Sequence, residues 1–161
     1  MPSKAAMTRV SVALALLCPW WLSGCSSGSA KATAPPTCPS PQGLAPVTGV
    51  TFGTPTERRT SASLACLYRE GGSSLEVGIN TSSATASQFR AAEDAAATAS
   101  HLNPTSVPNL GNAAYLLTSA TTQGVTELVV LAGGHVITVA GSVSAAQAEA
   151  IAHDLVNQVA G

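Results

Sequence analysis

The sequence predicts an α+β domain: an antiparallel sheet of about five strands in the order ββα-βββα, with two helices packed on one face. Three observations carry that expectation. Two strand pairs are each interrupted by a double glycine, Gly71-Gly72 and Gly133-Gly134. An alanine-rich stretch between them has helix-starting oxygens before it and Asn103-Pro104 after it. The last segment repeats its apolar residues at helical spacing.

The elements follow in order. Residues 44–55 are apolar but broken by Pro46, Gly49, Gly53 and Pro55, which predicts an irregular lead-in whose Val47, Val50 and Phe52 pack on the core. Residues 60–69 alternate, with Ala62, Leu64, Cys66 and Tyr68 on one face. After the Gly71-Gly72 turn, residues 74–80 return with Leu75, Val77 and Ile79 inward. Residues 81–87 offer N-cap oxygens, and a helix then runs to about Ser100, with Arg90 and Asp94 spaced i, i+4 as a weak surface pair. A strand over 114–118 precedes a polar turn at 121–124. Residues 125–132 and 135–140 form a hairpin around Gly133-Gly134. Ser144-x-x-Gln147 is a capping-box pattern, and behind it Ala148, Ile151, Ala152, Leu155 and Val159 share one helix face.

Leu128, Val129, Val130 and Leu131 stand out because they are apolar on both faces of their strand. A sheet with helices on one side shows polar residues on the other. Something must cover the second face, and the lead-in around Val50 and Phe52 is the expected cover; a partner or ligand is the alternative.

The N-terminus sets the compartment. Residues 1–9 carry Lys4 and Arg9 and no acid, and residues 10–22 are 13 mostly apolar positions, too few to span a bilayer as a permanent helix. A positive start, a short apolar run and small residues before a cut site mark a secretory signal. Leu22-Ser23-Gly24-Cys25 resembles the bacterial lipobox, in which cleavage falls before the cysteine and its sulfur takes a diacylglycerol. Small Ser23 and Gly24 let the backbone enter a peptidase cleft, and the Cys25 thiol is the nucleophile that accepts lipid. Several acyl chains hold a protein stably where one holds it marginally. The expected organisation is a signal peptide over 1–24, a lipidated Ser/Ala/Pro tether over 25–43 and a single α+β domain over 44–161. Its expected location is the extracytoplasmic face of a bacterial cell membrane.

Charge excludes some partners. The chain has 7 basic and 8 acidic residues; losing Lys4 and Arg9 with the signal leaves 5 against 8, a net of −3. No basic residue lies beyond Arg90. That argues against nucleic acid, which needs a clustered basic footprint, and against electrostatic binding to anionic lipid. Outside the signal the aromatics are Phe52, Tyr68, Phe89 and Tyr115 alone, too few for a stacking platform.

Of four cysteines, Cys18 leaves with the signal and Cys25 carries lipid, so Cys38 and Cys66 remain. In an oxidising exterior two such thiols are expected to form a disulfide. The competing readings are weaker: two thiols make no structural zinc site without further ligands, and a redox pair is more often C-x-x-C.

A lipobox, a Ser/Pro/Thr-rich tether, Cys38 near the start of the domain and Cys66-Leu67-Tyr68 in an early strand form one set of features. Val107-Pro108-Asn109-Leu110-Gly111-Asn112-Ala113-Ala114-Tyr115, a Val-rich hairpin and an Ala-rich final helix form another. Together they resemble the small actinobacterial lipoproteins of unassigned function, mycobacterial and streptomycete ones included. The resemblance covers most of residues 38–161. It implies an envelope-facing, disulfide-bonded α+β domain with no established activity, and it supplies no catalytic residues. Some related domains are sensor domains outside membrane kinases; this chain would take such a role only through a partner.

No G-x-S-x-G elbow, Walker loop, H-E-x-x-H or dinucleotide fingerprint occurs. His101, His135 and His153 are scattered, and Glu149, His153 and Asn157 read as the solvated side of a helix. Arg58-Arg59 beside Glu57 reads as an exposed charged loop. The 107–112 segment is a candidate ligand loop, although a proline-initiated turn with Gly111 at positive φ is its simpler reading. The expectation is a non-enzymatic binding module of the cell envelope. No catalytic residue, metal site or cofactor is assigned, and its partner is an envelope protein or a hydrophobic small molecule. The alternatives are a carrier of a lipid or other hydrophobic ligand, a sensor-type accessory domain and, furthest, an envelope hydrolase.

Overall fold

The computed structural model describes residues 35–119 and 125–160. The signal, Cys25 and the expected turn at 121–124 lie outside them. Three helices, α1 (Pro41–Thr48), α2 (Ala86–Ser100) and α3 (Ala145–Ala160), accompany seven strands. The strands are β1 (Thr56–Arg59), β2 (Ser63–Glu70), β3 (Ser73–Asn80), β4 (Thr105–Ser106), β5 (Ala113–Thr118), β6 (Thr126–Ala132) and β7 (His135–Gly141). They form one antiparallel sheet in the order β1-β2-β3-β7-β6-β5-β4. The α+β class and the antiparallel sheet match expectation; the strand and helix counts are larger.

The added elements have local causes. α1 forms inside the expected lead-in because Pro41 sits in its first turn, Ser40 Oγ accepts the Gly43 N–H at 3.0 Å, and Gly49 ends it at φ 72°. Pro46 lies inside this helix but removes only one intrahelical bond in so short a segment. The ordered fold therefore begins before Leu44. The two added strands are the sheet's edges. β1 is Thr-Glu-Arg-Arg with every residue exposed, and β4 is two residues flanked by Pro104 and Pro108. Charge and proline on the edges block further strand pairing.

One core cluster joins Leu64, Cys66, Tyr68, Leu75, Val77, Ile79, Leu128, Val130, Ile137 and Val139 to α3's Ala148, Ile151, Ala152 and Leu155. α3 thus uses the face its spacing predicts. Ser144 and Gln147 make the capping box, with Ser144 N–H donating to Gln147 Oε1 at 2.8 Å and Gln147 N–H to Ser144 Oγ at 3.3 Å. Gln147 Nε2 also donates to Thr48 O at 3.0 Å, tying α3 to the end of α1. Leu44 and Phe52 complete this layer.

The second face corrects two expectations. Phe89 of α2 packs with Tyr115, Leu117, Val129 and Leu131 in a separate cluster. Val129 and Leu131 alternate along β6 with Leu128 and Val130, so α2 lies on the opposite face from α3, not beside it. Val50 and Phe52 pack in the α3 layer, so the lead-in does not cover the second face; α2 does. Topology is the physical reason. The chain leaves β3 near mid-sheet and must reach β4 at the far edge, passing over the positions of β7, β6 and β5. With α3 on one face, the crossing helix takes the other. Hence β6 is buried on both sides, whereas β3, which α2 leaves bare, alternates buried with exposed or half-buried residues.

The four aromatics form two tilted pairs, one on each face: Phe52–Tyr68 with centroids 5.9 Å apart and Phe89–Tyr115 at 5.3 Å. Cys38 and Cys66 are disulfide-bonded, as their arithmetic predicts, with Cα atoms 5.8 Å apart. Beside that bridge the Tyr68 hydroxyl donates to Pro39 O at 2.6 Å.

Burial, and secondarily the Glu57 carboxylate, pushes Tyr68 up to about 12 from 10.0. The folded state keeps the proton that the unfolded chain loses, so this contribution is intact below pH 10.0 and fades as pH rises through about 12. Urea melts across that range are expected to show falling stability, and Tyr68→Phe to flatten the slope. An equal slope in the variant would place the titrating group elsewhere.

Candidate functional site

A cleft with a volume of about 400 Å³ lies between the N-terminal half of α2 and the loop 107–112. Three features fix its walls. Thr85 caps α2, its N–H donating to Gln88 Oε1 at 2.9 Å and its Oγ1 accepting from Gln88 N–H at 3.3 Å. Just before it, Ala84 N–H donates to Gly134 O at 2.7 Å, which clamps the helix entry to the β6–β7 turn. The far end of α2 closes on His101 at φ 57° before Asn103-Pro104.

The loop wall is held as firmly. Asn109 and Gly111 adopt φ 62° and 63°. Leu110 is buried in the α3-side core, 3% exposed, so the loop reaches over the sheet edge with one apolar peg. Asn112 N–H donates to Leu131 O at 2.7 Å, and Asn112 Oδ1 accepts from Gly133 N–H at 3.0 Å. The expected positive φ at Gly111 is present. Its cause is close approach: a Cβ there would stand 2.5 Å from Leu131 O and 2.8 Å from Val130 Cγ1.

The floor is apolar, with Phe89, Ala113 and Leu131, and the rim is polar, with Arg90, Glu93, Ser106, Asn109 and Asn112. Arg90 and Asp94 make no ion pair among the described residues; the pair within 4 Å is Arg59–Glu57, at 2.9 Å. Burial, then the Glu127 and Glu93 carboxylates, raises the Tyr115 phenol, so Tyr115 stays neutral beside the floor at ordinary pH. A neutral apolar floor with one cation, one carboxylate and the Asn109 and Asn112 amides at the mouth suits recognition of a ligand with an apolar body and a polar, hydrogen-bonding end.

The other sequence candidates lie apart from this cleft. Glu149, His153 and Asn157 are on α3, with His153 and Asn157 exposed. Among the described residues no group of three or more His, Cys, Asp or Glu side chains could hold a metal ion. Arg59 is engaged, its Nε with Glu57 and its NH2 donating to Pro36 O at 3.0 Å, while Arg58 is exposed on the opposite side of β1. His135 Nδ1 is buried without a hydrogen-bond partner among the described residues. Asn80 Oδ1 accepts from Ser82 N–H at 2.9 Å, a local turn at the end of β3. The loop 107–112 was legible as a candidate; the contribution of Phe89, Arg90 and Glu93 was not. The available signal was the doubly apolar β6, which demanded a cover.

No family model matches this chain, and no curated protein or solved structure matches it either.

Proposed function

We propose that this chain is a lipid-anchored extracytoplasmic protein of the bacterial envelope, attached through Cys25, that acts as a non-enzymatic binding module. The observation that carries the binding role is the cleft beside α2, whose floor is apolar and whose mouth holds Arg90, without an ion pair among the described residues, Glu93 and the Asn109 and Asn112 amides. The Leu22-Ser23-Gly24-Cys25 sequence supports the anchor, and the Cys38–Cys66 disulfide suits an oxidising compartment.

The tether enters at Cys38, bridged to β2 near one edge of the sheet on the α3 face. The cleft lies at β5 and β4, the other edge, on the α2 face. Four inter-strand steps of about 4.8 Å separate β2 from β5, so the cleft stands roughly 19 Å across the sheet from the strand that carries Cys66.

Native mass spectrometry of the processed protein, extracted gently from its own membrane, tests both parts. The expected mass includes a diacylglycerol on Cys25, lost in Cys25→Ala. A retained ligand or partner is expected in the wild type and absent in Ala86→Trp, which fills the cleft from an exposed position in the first turn of α2. An unlipidated wild type would reject the anchor; an adduct unaffected by Ala86→Trp would reject the cleft.

A further inference from the structure

Phe89 separates two clefts, one on each flank of α2. The second, of about 260 Å³, opens toward β3 and β7 and is lined by Asn80, Gln88, Ala92, Val129 and Val136 as well as Phe89. Phe89 is the buried residue of α2, whereas Ala92 beside it is exposed and small. Leu131 lines the first cleft and Val129 and Val136 the second, and all three belong to the one apolar cluster around Phe89 and Tyr115. One aromatic ring therefore divides what would otherwise be a single slot across the sheet beneath α2.

The two ends of that slot differ. Toward β5 stand Arg90, the last Lys or Arg in the sequence and without an ion pair among the described residues, and one turn along α2 the Glu93 carboxylate. Toward β3 stand neutral groups, Asn80, Ser82, Ser83 and Gln88. An uncharged polar ligand laid across the floor would leave its polar groups unpaired, at a cost. An alkyl chain would not, and a guanidinium pairs a carboxylate or phosphate head through two parallel hydrogen bonds.

We infer that the space beneath α2 takes the chain of a single-chain anionic amphiphile, with Phe89 turning aside to admit it and Arg90 meeting its head. This rests on the cleft being the binding site, since the head occupies it. The slot needs no opening of the α3-side core, which stays packed.

The chain from Ser26 onward contains every described element and both bridged cysteines, so it serves for the test. Binding of cis-parinaric acid and of its methyl ester is followed by probe fluorescence. Wild type is expected to bind both. Phe89→Ala strengthens both about tenfold by removing the divider, and Ala92→Trp, at an exposed position, blocks both. Arg90→Ala weakens the acid about tenfold, the worth of one charge-assisted hydrogen bond, and leaves the ester unchanged. Palmitate and a lysophosphatidylglycerol are then compared as competitors: displacement by the first marks a carboxylate site, by the second a phosphate site, and by neither overturns the inference. So does absence of probe binding in both wild type and Phe89→Ala, or binding indifferent to Ala92→Trp. Were the probe to fail while an adduct sensitive to Ala86→Trp persisted, the amphiphile would fall and the cleft would stand.

Discussion

Replacing Gly111 by alanine is expected to destabilise the domain by roughly 3 kcal/mol, the sum of two costs. Holding an L-residue at φ 63° costs about 1–2 kcal/mol. The new methyl would also stand 2.5 Å from the Leu131 carbonyl and 2.8 Å from Val130, both in the doubly buried β6, and forcing a packed core to shift costs about 1–3 kcal/mol. Because the collision is with backbone, Gly111→Asn should fail as well, although asparagine tolerates the same φ. Asn109 provides the contrast. It adopts φ 62° at an exposed position, so Asn109→Gly should change stability by only a few tenths of a kcal/mol. Guanidinium unfolding of the three variants decides the matter. A Gly111→Ala variant within about 1 kcal/mol of wild type would mean that the loop 107–112 is free to move away from β6, and the cleft wall would lose its fixed geometry.

Removing the Cys38–Cys66 bridge is expected to cost roughly 3–4 kcal/mol on the chain-entropy account of a 28-residue closure. For a domain of this size that lowers the melting temperature by about 10 °C or more. The stretch it fastens is otherwise held lightly at its edge, by Tyr68 to Pro39 O and Arg59 to Pro36 O. Cys38→Ala and Cys66→Ala should each lose nearly the full amount, and the double variant little more, because one covalent link is being removed each time. Cys66 is fully buried, so its variant carries a small additional cavity cost. A loss below 1 kcal/mol in Cys38→Ala would show that this chain's denatured state is already compact around the bridge.

Much of this molecule was written in local pattern. The α3 face was legible because Ala148, Ile151, Ala152 and Leu155 recur at helical spacing, and its start because Ser144 and Gln147 satisfy each other's backbone. The β2–β3 and β6–β7 hairpins were legible because their alternation is interrupted by paired glycines. The bridge followed from counting cysteines. α1 was hidden because Pro46 and Gly49 resemble loop residues, and only packing against α3 and the Gln147–Thr48 bond make eight such residues worth ordering. β1 and β4 were hidden because polar edge strands carry no apolar period; their pairing partners define them.

What the sequence determined by itself is the α+β class, the secondary elements of the core, the disulfide and the requirement that both faces of β6 be covered. Only the tertiary structure decided what covers the second face. α2 has the same alanine-rich composition whichever face it takes, and its one large apolar anchor, Phe89, fits either. The choice came from the sheet order: β7, β6 and β5 lie between β3 and β4, and α3 fills one side, so the crossing helix must use the other. That crossing set Phe89, Arg90 and the loop 107–112 around one cleft, an arrangement of residues far apart in sequence that no local pattern encodes.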